Sequence, residues 1–244
     1  MKGTNHTLHG AISGQLTNTM IIGIDVSHPS STKLRNAKSI AGVVANTGDG
    51  DFSQWPCSLR TQEGGQELVD SLKDMVIERL NLWRNKANGG QPDKIIVYRD
   101  GVSENQYEDV LKIELVRIRK ACAKVYPKGT EVPIALVIVA KRHHVRFYPT
   151  EHKDTDKTIK PGRLGNPLPG TVVDRGVTME TGWDFYLQAH DCIQGTAKPA
   201  HYVVLHSDFE KGELNATKLQ DIVSHCALAC WLVLSFYSIA RIVI

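Results

Sequence analysis

The sequence predicts an α/β fold: a mixed sheet, parallel at its centre and flanked by helices. Three observations carry this expectation. Two short apolar runs, Thr19–Val26 and Lys94–Tyr98, are each followed or closed by an aspartate, Asp25 and Asp100, and then by turn residues; such runs suit parallel strands buried on both faces. The order of periodicities is three strands joined by short turns, then helix, strand, helix, strand. Finally, the 244 residues are 41% hydrophobic and 23% charged, which is ordinary for a soluble globular protein with a sizeable core.

The elements follow in order. Residues 3–18 are rich in Gly, Thr, Asn and Ser and read as an irregular lead-in. Met20–Val26 is the first strand, stopped by Ser27-His28-Pro29-Ser30. Ser39–Ala45 is the second, Asp49-Gly50 is a hairpin signal, and Phe52–Thr61 is the third strand. Glu67, Leu68, Leu72, Met75, Val76, Leu80 and Trp83 recur near a period of 3.6, so a helix runs from Glu67 to the glycines after Asn88. The Asp100 strand comes next, and Ser103 is a good N-cap for a second helix. Its apolar positions Val110, Leu111, Ile113, Leu115, Val116 and Ile118 predict burial against the sheet. Val132–Ala140 is an almost continuous apolar strand. Further strands are expected at Gly170–Asp174 and Tyr202–Leu205, with a strand or tight helix at Asp184–His190 and a helix over Leu214–Ala229. A parallel sheet with an antiparallel hairpin at its start is the plan of a ribonuclease-H-like fold. Fold alone does not give function.

In open α/β sheets, ligands bind beyond the carboxyl ends of the strands. With the two strands as neighbours, Asp25 and Asp100 sit side by side. Two such carboxylates repel unless a cation holds them, and hard oxygen ligands favour Mg²⁺ or Mn²⁺. One Asp alone reads equally as a loop cap; the pair in matching context favours a metal.

Local charge carries more than the total. The formal net charge is only +3, yet residues 141–163 hold seven Lys/Arg against three Asp/Glu, with three His, and Phe147 and Tyr148 beside them. Charge runs are usually solvated loops. This one starts at the end of the Val132–Ala140 strand, on the edge where the two aspartates emerge, and reads as a phosphate-contacting segment. The five cysteines are scattered and odd in number, which suits a reducing compartment and a cytoplasmic protein, with the nucleus as the alternative. The first residues, Met1–His6, are polar and lack the features of a signal peptide. The last nineteen, Cys226–Ile244, include only Ser235, Ser238 and Arg241 as clearly polar residues. That length is near the minimum for a membrane span, but the stretch is read as an aberrant, aggregation-prone end of the chain rather than an anchor.

Four motifs now stand in order: Gly23-Ile24-Asp25-Val26-Ser27-His28-Pro29; Tyr98-Arg99-Asp100-Gly101-Val102-Ser103-Glu104; Lys141-Arg142-His143-His144-Val145-Arg146; and Asp184-Phe185-Tyr186-Leu187 with His190 and Ile193–Tyr202. Together they resemble the Piwi domain of eukaryotic Argonaute proteins over roughly residues 3–220. The resemblance implies a division into a linker remnant at 1–18, an incomplete Piwi domain at 19–225 and the aberrant tail at 226–244. It implies a small guide RNA and a complementary target RNA as ligands, silencing-complex proteins as partners, no membrane, and cleavage of the paired target in intact relatives.

The cleaving relatives use four metal-site side chains, ordered Asp, Glu, Asp, then His or Asp. Asp25 resembles the first and Asp100 the third. Glu67 resembles the second, with Glu63 as its competitor; from the residues alone, Glu67 also reads as a first-turn glutamate complementing a helix dipole. The fourth has no counterpart: the Pro-x-Tyr-Tyr turn before it is missing, and His225 comes too early to stand in. The implied reaction is phosphodiester hydrolysis with two Mg²⁺ ions roughly 4 Å apart, Asp25 and Asp100 as metal ligands, and Glu67 completing the site. Lys141, Arg142, His190 and Lys198 would hold guide phosphates, with Gln194 and Thr196 as neighbouring donors. Lys198 stands where relatives often carry Arg, keeping the charge but losing the planar fork. The alternatives to a cleaving enzyme are an RNA-binding module that does not cut and an incomplete product.

Overall fold

A computed structural model describes residues 16–29, 37–48, 52, 54–156, 165–189, 192, 195–210 and 213–224. The Asp49-Gly50 turn, His190, Gln194, His225 and the 226–244 tail of the sequence reading lie outside them. Eight strands form one sheet in the order β3-β2-β1-β4-β5-β8-β7-β6. They are β1 (Thr19–Ser27), β2 (Ser39–Ala45), β3 (Cys57–Gln62), β4 (Lys94–Asp100), β5 (Ile134–Ala140), β6 (Thr171–Val173), β7 (Asp184–Gln188) and β8 (Ala200–Ser207). The β1–β4 and β4–β5 pairs are parallel, and the remaining pairs are antiparallel. This is the mixed, ribonuclease-H-like sheet that the order of periodicities implied.

The central strands are apolar on consecutive residues because both faces are covered. Met20, Ile22 and Ile24 of β1 pack with Ile95 and Val97 of β4 and with Ile134, Leu136 and Ile138 of β5 in one core. That core is closed by helix α1 (Leu72–Lys86), through Leu72, Met75, Val76, Leu80 and Trp83, and by Val110, Leu115 and Ile118 from a second helical run. Ile21, Ile96, Tyr98, Ala135, Val137 and Val139 point to the other face, where Leu219, Ile222 and Val223 of a helix at 216–224 cover them. Where β2 ends, the Asn46 side chain continues its pairing with β1. Its Oδ1 accepts the Ile21 N–H at 2.7 Å and its amide donates to the Thr19 carbonyl at 3.2 Å.

Three boundaries differ from expectation for identifiable reasons. The third strand begins at Cys57 rather than Phe52, since Phe52 has φ 53°, a left-handed conformation that no strand continues through. Helix α1 begins at Leu72 rather than Glu67; the main chain of residues 67–69 is engaged by side chains from other elements instead (below). Its end follows the prediction: the Gly89 N–H reaches back to the Arg84 carbonyl at 2.8 Å, with Asn88 and Gly89 both at positive φ. The second helical run opens on a 3₁₀ turn (Glu104–Gln106) at Ser103, whose N–H and hydroxyl both meet Gln106 Oε1. It continues through α2 (Tyr107–Asp109), a π-helical segment (Val110–Leu115) and α3 (Val116–Val125). Val116, expected to be buried, is exposed, and Glu114 is buried in its stead.

Candidate functional site

The carboxyl ends of the three parallel strands meet at one rim. The last β1–β4 pair is Ile24 opposite Arg99, so Asp25 and Asp100 are the next residues on adjacent strands. Asp100 pairs on its other side with Val139 of β5, and Lys141 follows that strand. The Lys141 ammonium stands 3.3 Å from Asp100 Oδ2. Asp25 Oδ1 accepts the Val26 N–H at 2.8 Å. Burial, and then the negative charge of Asp100, push the Asp25 carboxyl above its usual range, against the opposing pull of Arg99, the Val26 N–H and Lys141.

The folded chain therefore holds a proton on Asp25 to higher pH than the unfolded chain does. Stability falls as pH rises from the ordinary 3.8 through the folded value. Asp25→Asn removes this penalty, and its melting temperature is expected to exceed the wild type's at pH 7. The gap should close at pH values below 3.8. A variant that melts lower than the wild type at pH 7 would contradict the account.

Glu67 arrives from the loop before α1. Its Oε1 is 2.8 Å from His28 Nε2, and the other ring nitrogen of His28 is 2.7 Å from Ser39 Oγ. Ser39 Oγ in turn accepts the Gly65 N–H at 3.1 Å. Glu67 Oε2 is buried and without a hydrogen-bond partner. Its rival Glu63 is exposed. Gly101, at φ +91°, marks where the acids converge: a Cβ there would lie 3.6 Å from both Asp25 Oδ1 and Glu67 Oε2. Asp25, Glu67 and Asp100 thus line one cleft, beside a Gly101 whose positive φ favours glycine.

This donor set fits a hard divalent cation, since Asp25, Asp100 and the orphaned Glu67 oxygen are all carboxylate. As they stand, no three His, Cys, Asp or Glu side chains among the described residues form a ready metal cluster, and Lys141 supplies the cationic neighbour of Asp100.

The acids open into a cleft of about 690 Å³ that also runs past Ser103, Tyr107, Lys141, Arg142 and His143 to Tyr186 and His201. The far wall is built by cross-strand pairing. Tyr186 opposes His201 in the β7–β8 register, and their rings stack at 4.1 Å and 6°. Asp184, buried, meets His201 Nε2 at 2.6 Å. His143 Nε2 donates to the Pro199 carbonyl at 2.9 Å, which ties the basic segment to the loop that carries Thr196 and Lys198. Burial lowers the His143 pKa, and with it the cationic population of that ring. Lys141 and Arg142 line the cleft. Thr196 and Lys198 are exposed on the adjoining loop and lie outside it.

Two residues that hold the site escaped the sequence reading as functional. Arg99 is fully buried in β4 and Glu114 is buried opposite it, 2.9 Å apart. Arg99 also donates to the main-chain carbonyls of Asp100 and, at 2.6 Å, of Glu67. The signal was there: Glu114 falls four residues after Val110 and four before Ile118, on the apolar face, and Arg99 directly follows the apolar run Ile95–Tyr98 within the same strand. Two charges at positions that burial reserves for apolar groups require each other.

Comparison with known proteins adds to this geometry. A family model described as "Piwi domain" matches residues 1–243. Argonaute 11 of rice is 40% identical over 221 residues, covering 85% of this chain and 24% of the relative. Argonaute 10 of Arabidopsis thaliana is 38% identical over 242 residues, covering 92% of this chain and 24% of the relative. The chain thus spans about a quarter of the length of these relatives. Among solved structures, Kluyveromyces polysporus Argonaute with a guide RNA superposes at a TM-score of 0.79 with 30% identity, over 91% of this chain and 27% of that one. The C-terminal lobe of a budding yeast Argonaute matches at the same TM-score of 0.79 and identity of 30%, over 91% of this chain and 45% of that one.

Proposed function

This chain belongs to the Piwi domain family, and from that premise we propose that it holds a guide RNA paired with a target RNA, as part of an RNA-silencing protein. The observation that carries the reading is the strand-end rim itself. Three carboxylates face one space, and a cationic segment begins on the next strand over. Protein partners of a silencing complex belong to the same reading.

Lys141, Arg142 and His190, with Lys198 on the adjoining loop, would take backbone phosphates; Thr196 and Gln194 would add neutral donors. Sequence would be read by pairing between the two RNA strands, leaving the protein to grip the backbone. Asp25 and Asp100 would hold divalent cations, Mg²⁺ or Mn²⁺, with Glu67 Oε2 as the third oxygen. Bound there, such cations supply a Lewis acid and an activated water for phosphodiester hydrolysis. The residues of the chain orient and compensate charge. His28 fixes the Glu67 carboxylate through one oxygen and leaves the other facing the acids. Lys141 partners Asp100 and would be drawn off by a phosphate.

Binding, not cleavage, is the activity proposed for this chain by itself. With no fourth ligand identified in the sequence, weak RNA binding and little or no cleavage are expected. A Mg²⁺-dependent cleavage assay on a guide–target duplex, with Asp100→Ala as control, tests the second point. Robust metal-dependent cutting by the 244-residue chain would overturn the expectation of inactivity. Filter binding across a salt series tests the first. Each phosphate contact contributes a slope of about 0.9 in log K against log salt. The Lys141→Ala/Arg142→Ala pair is therefore expected to flatten the slope by about 2. An unchanged slope would remove both residues from the RNA interface.

A further inference from the structure

The segment carrying Glu67 is not held by regular secondary structure. Its neighbour Val69, fully buried, has both main-chain groups taken by side chains of the second helical run. Glu114 Oε1 accepts the Val69 N–H at 2.9 Å, and Arg117 Nη1 donates to the Val69 carbonyl at 2.7 Å. Glu114 closes the circuit through Arg99, whose Nη2 donates to the Glu67 carbonyl at 2.6 Å. Arg117 also lies 3.7 Å from Asp70 Oδ1. From the opposite side Gln62 Nε2 donates to the Gln66 carbonyl at 2.7 Å and to the Leu68 carbonyl at 3.2 Å.

We propose that Glu114 and Arg117 are positioning residues for Glu67: they grip Val69 by its N–H and its carbonyl and so set where the carboxylate two residues earlier stands. Neither side chain lines the cleft that holds the acids. Their influence on the site passes through the backbone of residues 67–70. Glu114 and Arg117 sit three apart on one helical face, which is the spacing that lets two side chains reach the two ends of one residue. A buried carboxylate and a guanidinium are also the groups that form charge-assisted bonds to main-chain donors and acceptors. This inference deepens the reading of the rim as a cation site and rests on it for its functional meaning, but not for the clamp itself.

The test is amide hydrogen exchange on the full chain without RNA or metal, paired with a Mn²⁺ titration followed by thermal shift. Arg117, at 30% side-chain exposure, is the safer position to change. Arg117→Met frees the Val69 carbonyl, and the loosened segment is expected to open the remaining Val69 N–H bond to Glu114 more often, speeding exchange of that amide several-fold while amides of β1 and β4 keep wild-type rates. Arg117→Lys, which retains a cationic donor group, is expected to restore most of the protection. The half-saturating Mn²⁺ concentration should rise several-fold in Arg117→Met and return in Arg117→Lys, although neither variant changes a proposed cation ligand. Glu114→Gln is the second probe, with selective exchange at Val69 as the supporting result. Unchanged Val69 exchange in Arg117→Met, or a uniform rise across the sheet in both Arg117→Met and Glu114→Gln, would overturn the clamp. A wild-type chain that binds no Mn²⁺ would instead sink the cation reading, leaving exchange to decide the clamp.

Discussion

Arg99→Met is expected to destabilise the fold by about 3–5 kcal/mol, the usual cost of stripping one partner from a buried ion pair. The Arg99 and Glu114 side chains are 0% and 1% exposed, so the Glu114 carboxylate left behind has no water to turn to. It keeps only the Val69 N–H among its described donors. For a chain of this size each kcal/mol moves the midpoint by about 2–4 °C, so the melting temperature should fall by about 10 °C. Replacing both partners, as Arg99→Met with Glu114→Leu, should recover much of the loss, because no charge then remains buried. The double variant would still lose the bonds to the Glu67 and Asp100 carbonyls and leave the buried Val69 N–H without its acceptor. Thermal melting of the three proteins decides it. A single variant within about 1 kcal/mol of wild type would mean that the pair contributes no more than an exposed one does.

The second large effect concerns the acids. A ligand that binds only the folded state, present at a hundred times its dissociation constant, stabilises by about 2.7 kcal/mol. Saturating Mn²⁺ is therefore expected to raise the wild-type midpoint by about 5–10 °C. Asp25→Asn combined with Asp100→Asn should abolish most of that rise. The metal-free variant should itself be no less stable than the metal-free wild type, since mutual repulsion and burial both act against the Asp25 carboxylate. Equal Mn²⁺ shifts in both proteins would place the ion elsewhere, and no shift in either would remove the cation from the account.

Much of this was legible in the sequence because burial leaves a mark on residue type. The continuous apolar runs of β1, β4 and β5 announced strands covered on both faces, and the covering layers are there. Asp25 and Asp100 stood out because each closes such a run, and the parallel register sets them side by side. The lead-in to β3 reads as strand in the sequence because nothing in the local pattern signals the left-handed Phe52. Glu67 was placed inside a helix because Leu68 and Leu72 sit at helical spacing. Yet Leu68 packs against the core from a loop whose hydrogen bonds go to Arg99, Glu114, Arg117 and Gln62. Gln62 is 6 positions away, but the other partners are 32 to 48 away, and no window of neighbouring residues contains those. The Glu114–Arg99 pair was readable in principle, as two charges on apolar faces, but each looks unremarkable until the other is set beside it.

The strand order has a consequence for how the chain is made. β1 lies at the middle of the sheet, yet its parallel neighbour β4 begins at Lys94, and Asp100 follows Asp25 by 75 residues. At ribosomal rates of about 5–20 residues per second, the Met20–Val26 run emerges on the order of ten seconds before the strand that shields its other edge. During that wait the β2–β3 hairpin can pair one edge and helix α1 can cover one face, but among the described residues the edge that β4 will take stays open. A nascent chain with an unpaired apolar strand at its core is prone to sticking to others, and a holding chaperone acting on that interval should raise the yield of native protein.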